Sequence, residues 1–451
     1  MTIKLTHDEP ILIGLDHKGQ PVEWSFTQVN NFNCLFLGTS GSGKTHTIHN
    51  LLARTYARGV TFHVIDIKGD FGYENLVDSG LGAYVTKEDF NNIRFDYFSE
   101  GASINPLQVP RTKEGGGVLM TIEGMKALVK AYSANAGVKQ LGYLDEILKM
   151  VYAQKGIVHD DESTWGLPSP DLNDLLAQID LIFNVISSGL PIGSVTEIMS
   201  SFGKAKSKAE RALATMQAED KDQIEIEAKI NDQADSLIEL LTGMVKQQIS
   251  YTNIKKRSVG NGTIYEHWSK ESLYGLRSIV QGMVDSRLFT GNPSITRGGK
   301  INRYDLTEIS PAHQQIIMRI VAQRVFAMGV METRKHNTFN PRVPSHILIA
   351  DEGKHVKEIS QSALSPFNRI GTEGRGYGVG IWCGVQQPDQ VTQDLLKNFS
   401  TYCLLKVPEA SYGEMSRMFS IKPSYLKQLQ PRENMLFSAN GPYTLVNHFK
   451  D

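Results

Sequence analysis

Hydrophobic positions in this chain cluster in short bursts separated by longer amphipathic stretches. Cys34-Leu-Phe-Leu, Thr61-Phe-His-Val-Ile-Asp66 and His346-Ile-Leu-Ile-Ala350 are apolar at nearly every position, as expected of strands buried on both faces. Further strands are predicted at Val379–Val385, Thr401–Val407 and Met435–Ser438, with others near Ile301–Leu306 and Tyr443–Asn447. Helical periodicity over about Thr45–Tyr56 and Pro311–Arg334 alternates with them. This β-α alternation predicts an α/β fold, doubly wound around a mostly parallel central sheet.

Two regions break the alternation. Residues 1–30 read as a small hairpin, with Pro10-Ile-Leu-Ile-Gly-Leu-Asp and Pro21-Val-Glu-Trp flanking the turn His17-Lys-Gly-Gln. From about 115 to 290 the stretches Leu172–Ile186, Ser207–Leu241 and Ser269–Arg287 are rich in helix formers. They predict an inserted helical subdomain, in which Ser207–Lys246 either projects as a solvent-exposed helix or hairpin or is partly mobile. Residues 31–114 and 291–451 are then two parts of one α/β domain.

Composition narrows the setting. With 40% hydrophobic and 21% charged residues, and no run near the roughly eighteen apolar residues of a membrane helix, a soluble cytoplasmic protein without membrane insertion is expected. Cys34, Cys383 and Cys403 each sit in an apolar run without metal-ligand spacing, so they read as buried thiols. The formal charge of −1 provides no global attraction to nucleic acid, so any such contact rests on local basic surfaces.

The chemistry is concentrated where strands end. Gly38-Thr39-Ser40-Gly41-Ser42-Gly43-Lys44-Thr45 follows a strand and opens a helix, the context in which this spacing binds phosphate. Glycines let backbone N–H groups wrap the phosphates, Lys44 reaches the β- and γ-phosphates, and the Thr45 hydroxyl coordinates Mg²⁺. His46 follows as a further nucleotide-binding candidate. The predicted cofactors are ATP and Mg²⁺. Asp351 and Glu352 end an apolar strand: Asp351 is the candidate magnesium residue, and Glu352 the one that polarises the attacking water. A helix cap is the alternative use of this acid pair. Gln386, after the Val379–Val385 strand, is the candidate γ-phosphate sensor, with Gln387 or a plain surface turn as alternatives. Lys44 and Asp351 lie about 300 residues apart, so the predicted insertion separates two halves of one site.

These motifs resemble the HerA/FtsK superfamily, in its HerA-like, type IV secretion and conjugation branch. Besides the phosphate loop and the acid strand, the resemblance rests on Val64-Ile-Asp-Ile-Lys-Gly-Asp70, Ser103-Ile-Asn-Pro-Leu107, Ile301-Asn-Arg-Tyr-Asp-Leu306 and Gly374-Arg-Gly-Tyr-Gly378. It implies a RecA-like P-loop NTPase domain with an inserted helical subdomain. It further implies a homohexameric ring that threads DNA through its pore and holds ATP between subunits. An arginine from the neighbouring subunit then completes the site. Arg375 is the first candidate, ahead of Arg369, with Arg287 and Arg303 more distant. The superfamily's N-terminal β-barrel is expected to be absent or reduced to the hairpin, which weakens a direct transfer of its nuclease-docking role. Lys204–Lys208, Lys255–Arg257 and Arg297–Lys300 are candidate pore contacts, or ordinary solvated charge.

Three functions compete at this stage. The first is an ATP-driven translocase on double-stranded DNA, without sequence preference. The second is an ATP-gated ring scaffold that assembles a nuclease, an antiviral effector or a conjugation or secretion complex. The third, a small-molecule kinase, fits poorly because such an enzyme has no use for a water-polarising Glu352.

Overall fold

The computed structural model describes residues 5–6, 9–98, 101–111, 113, 116–133, 135–188, 268–291, 296–361 and 365–448. The expected projection at Ser207–Lys246 and the basic segments Lys204–Lys208 and Lys255–Arg257 lie outside the described residues.

In chain order, the chain opens with β1 (Ile11–Leu15), β2 (Pro21–Trp24), β3 (Cys34–Leu37), α1 (Lys44–Tyr56), β4 (Thr61–Asp66), α2 (Tyr73–Asp78) and β5 (Phe90–Arg94). Among the described residues four helices follow: α3 (Gly117–Tyr132), α4 (Val138–Gln154), α5 (Leu172–Ser188) and α6 (Lys270–Asp285). The chain then re-enters the sheet with β6 (Ile301–Asp305), α7 (Pro311–His336), β7 (His346–Ala350), α8 (Gly353–Ser360), α9 (Pro366–Glu373) and β8 (Val379–Val385). It closes with α10 (Gln393–Leu396), β9 (Thr401–Leu404), α11 (Tyr412–Phe419), α12 (Pro423–Lys427), β10 (Asn434–Ala439) and β11 (Thr444–Asn447).

The eleven strands among the described residues join one sheet in the order β2-β1-β11-β10-β9-β3-β8-β7-β4-β6-β5. The seven strands from β9 to β5 run parallel. The remaining four extend the sheet antiparallel from β9. The sheet is therefore mostly parallel, as the apolar runs predict. The N-terminal hairpin is its outer margin, joined through Leu15 paired with Asn447.

Alternation along the strands divides the core. Leu35 and Leu37 of β3 face the cluster shared with α3–α7, whereas Cys34 and Phe36 face the cluster under α1 and the hairpin. On that second face Trp382 of β8 packs against Trp24, Phe36 and Phe62, with ring centroids 6.2, 5.8 and 5.5 Å away. Burial on both faces holds the parallel strands in register, which fixes where their carboxyl ends lie. The 26-residue α7 is capped by the Ser310 side chain at its start and by left-handed Asn337 at its end. No helix among the described residues is long and apolar enough to cross a membrane.

Candidate nucleotide site at the carboxyl edge of the sheet

β3 delivers the chain into the phosphate loop. Gly41 and Gly43 adopt φ of 77° and 99°, a region that side chains disfavour, and Gly43 is the N-cap of α1. The loop is pinned from three sides: Gly38 N donates to Val385 O, Thr39 N to Lys406 O, and Arg432 N to Ser42 O, at 3.1, 3.1 and 3.0 Å. It therefore presents backbone N–H groups and a helix N-terminus from a fixed frame, an arrangement suited to anions.

The acid strand is not its neighbour. β8 lies between β3 and β7, so Asp351 must extend across the end of β8 to reach the loop. Gly384 makes this possible, because a Cβ there would overlap Asp351 Oδ1. As a result Lys44 Nζ lies 3.0 Å from Asp351 Oδ1. Thr45 Oγ1 donates to Asp351 Oδ2 at 3.2 Å, between residues 306 positions apart. Burial raises the Asp351 carboxyl above its usual range, and Lys44 opposes the shift.

These groups border a cavity of about 530 Å³, lined also by Thr39, Ser40, Gly41, Gly43, His46, Gln386, Lys68, Asp70 and Arg432. Gln386 thus reaches the cavity, whereas Gln387 is the exposed N-cap of the following short turn. Gly38 and Ser42 shape the loop behind this lining, with Ser42 buried. Glu352 is the N-cap residue of α8, and its carboxylate pairs with Lys68 Nζ at 2.7 Å.

The arginines named from the sequence are not brought to this cavity. The Arg375 guanidinium stacks over Phe32, 4.4 Å from the ring centroid, at the amino end of β3. Arg369 covers Phe326 and pairs with Glu373. Arg303 is engaged within the chain by Asp66 and Asp305. Lys300 of the basic turn donates to Glu88 O at 2.8 Å. The arginine that does line the cavity, Arg432, has φ of 62° and no motif around it. Lys68 stands inside the Val64–Asp70 signature, so a signal for it was present.

Thr45 and Asp351 are adjacent hard oxygen donors, a pair that suits Mg²⁺. That ion is usually held by one or two carboxylates together with substrate phosphates and water. Among the described residues no group of three or more His, Cys, Asp or Glu is gathered as a metal cage.

Residues 3–109 match the family model described as the TraG P-loop domain. The whole chain superposes on VirB4 of Thermoanaerobacter pseudethanolicus with a TM-score of 0.60 and 16% identity, covering 99% of this chain and 98% of that one. The chain has a RecA-like P-loop fold. This P-loop fold also matches the bacterial conjugative coupling protein TrwBdeltaN70. Its unbound monoclinic form gives a TM-score of 0.50 at 12% identity, covering 98% of this chain and 90% of that one. Its trigonal form in complex with sulphate gives 0.51 at 12%, covering 100% and 94%. No curated protein matches the chain in sequence. Over residues 3–109 the chain is thus similar in sequence to the TraG P-loop domain, and along its length it shares the fold of VirB4 and TrwBdeltaN70.

Proposed function

We propose that this chain hydrolyses ATP and works as a homohexameric motor on DNA, serving a conjugation or secretion complex. The observation that carries this reading is the convergence of Lys44, Thr45 and Asp351 within 3.2 Å across the end of β8. On this reading residues 31–114 and 291–451 form one ATPase domain and 115–290 its inserted helical subdomain.

The roles follow from chemistry. The loop N–H groups and Lys44 bind the β- and γ-phosphates, with His46 beside them. Thr45 and Asp351 hold Mg²⁺, which when bound neutralises charge on the phosphates. Glu352 takes a proton from water as the water oxygen bonds to the γ-phosphorus, and the bridging oxygen leaves with ADP. Gln386, on the cavity wall, responds to the γ-phosphate. Arg375, remote from its own chain's cavity, is offered to the neighbouring subunit's site. The conjugation setting is taken from the coupling protein that the chain superposes on.

The test is phosphate release by the purified full chain with Mg·ATP, with and without duplex DNA, together with native mass. The reading expects six-subunit particles and faster release with duplex; hydrolysis indifferent to DNA, or monomers throughout, contradicts it. The scaffold alternative instead expects a secretion partner to bind the Glu352→Gln protein as well as it binds the wild type.

A further inference from the structure

Asp66, at the end of β4, is 1% exposed and is fully engaged. It accepts N–H bonds from Gly69, Asp70 and Phe71 at 2.8, 3.1 and 3.1 Å, and one from Arg303 Nε at 2.7 Å. Gly69 supplies the left-handed turn this wrap requires, with φ of 84°. The loop after β4 is therefore a fixed platform, locked by a buried carboxylate and its arginine.

Lys68 projects from that platform and does two things at once. Its side chain, 47% exposed, borders the phosphate cavity beside Lys44, and its ammonium holds Glu352 at 2.7 Å. A carboxylate held by an ammonium at this distance is not free to turn towards a water in the cavity. A terminal phosphate in the cavity offers Lys68 a more highly charged partner, and lysine's flexible stem lets the ammonium exchange one for the other.

We propose that Lys68 is a second phosphate-binding lysine that releases Glu352 only when a γ-phosphate takes its place, tying base activation to triphosphate occupancy. This rests on the ATPase reading above. The device discriminates ATP from ADP, because ADP has no group to draw Lys68 away. Its position on the Asp66 platform keeps the exchange local, a swing of one side chain between two anions.

The experiment measures ADP and ATPγS affinities and single-turnover ATP hydrolysis in the full-length protein, its Lys68→Met and its Lys68→Arg variants. Lys68→Met should bind ADP within about twofold of wild type, lose roughly tenfold in ATPγS affinity, and hydrolyse ATP roughly 10- to 100-fold more slowly. Lys68→Arg should recover ATPγS affinity. Retained ADP binding establishes that the variant is folded. Equal losses for ADP and ATPγS, or hydrolysis and ATPγS binding at wild-type levels, overturn the proposal. If the wild type hydrolyses no ATP, the ATPase reading fails, and the contrast between ATPγS and ADP still decides whether Lys68 contacts the γ-phosphate.

Discussion

Strands β4 and β7 lie side by side and carry a polar cluster at each end, and the two clusters are built on opposite terms. Towards the amino end, His63 Nε2 meets His346 Nδ1 at 3.1 Å, and His346 Nε2 meets Glu332 at 2.9 Å. His63 Nδ1 faces the Tyr304 hydroxyl at 3.4 Å, which in turn meets Thr296 at 2.8 Å. Each group answers the next, so the chain of hydrogen bonds is closed. At the carboxyl end, Asp351 holds Lys44 and Thr45 while Lys68 holds Glu352, beside a cavity that all but Glu352 line, with partners that an incoming phosphate or cation can replace. A closed network fixes strand positions; an exchangeable one, at the edge where open α/β sheets bind ligands, does chemistry.

The sharpest way to break this contrast is at the carboxyl end. Glu352→Gln should lower the ATP hydrolysis rate by roughly 10²- to 10⁴-fold while ATP binding and the melting temperature stay close to wild type. A lost base with intact binding is the mark of an exchangeable site. Gly384→Ala comes next. Its methyl group must push the Asp351 carboxylate away from Lys44 and Thr45, and a shift on the order of 1 Å should cost about 10²-fold in rate. Wild-type hydrolysis in this variant would mean that Asp351 need not cross β8.

The amino-end cluster should respond in the opposite sense. His63→Leu leaves His346 and Tyr304 short of a buried partner, which should lower unfolding free energy by about 1–3 kcal/mol in urea titrations, with hydrolysis per folded molecule unchanged. The smallest effect is a pH response. Burial pushes His63 well below its usual range and His49 down to about 4. The unfolded chain therefore takes up protons that the folded chain refuses, and stability falls as pH drops below about 6.5. From pH 7 to pH 6 each such histidine should cost about 0.7 kcal/mol, readable as a lower urea midpoint. A midpoint independent of pH would mean these histidines protonate freely in the fold.

Much of this contrast was legible in the sequence, for reasons that differ by element. β3, β4 and β7 announce themselves because burial on both faces demands continuous apolar runs. β5 does not: Phe90-Asn-Asn-Ile-Arg94 lies at the sheet margin, where Asn91 instead bonds Asn302 at 2.8 Å. The phosphate loop is readable because its function is encoded in eight consecutive residues, and Asp351 because a buried strand ends on it. Lys68 was visible as a motif member, but its role depends on Glu352, reached only through folding. Arg432 reaches the cavity through a left-handed turn outside any motif, and Gly384 matters only because β8 separates β3 from β7. Neither fact is local, so neither has a local signal.

On the proposed function, Thr45 and Asp351, contributed by distant segments, hold one metal with the nucleotide. Electron paramagnetic resonance of Mn²⁺ in place of Mg²⁺, titrated into the full chain with ATPγS, measures that assembly. It should show a single nucleotide-dependent Mn²⁺ per chain, lost or strongly weakened in both Thr45→Ala and Asp351→Asn. Undiminished Mn²⁺ binding in both variants would contradict it.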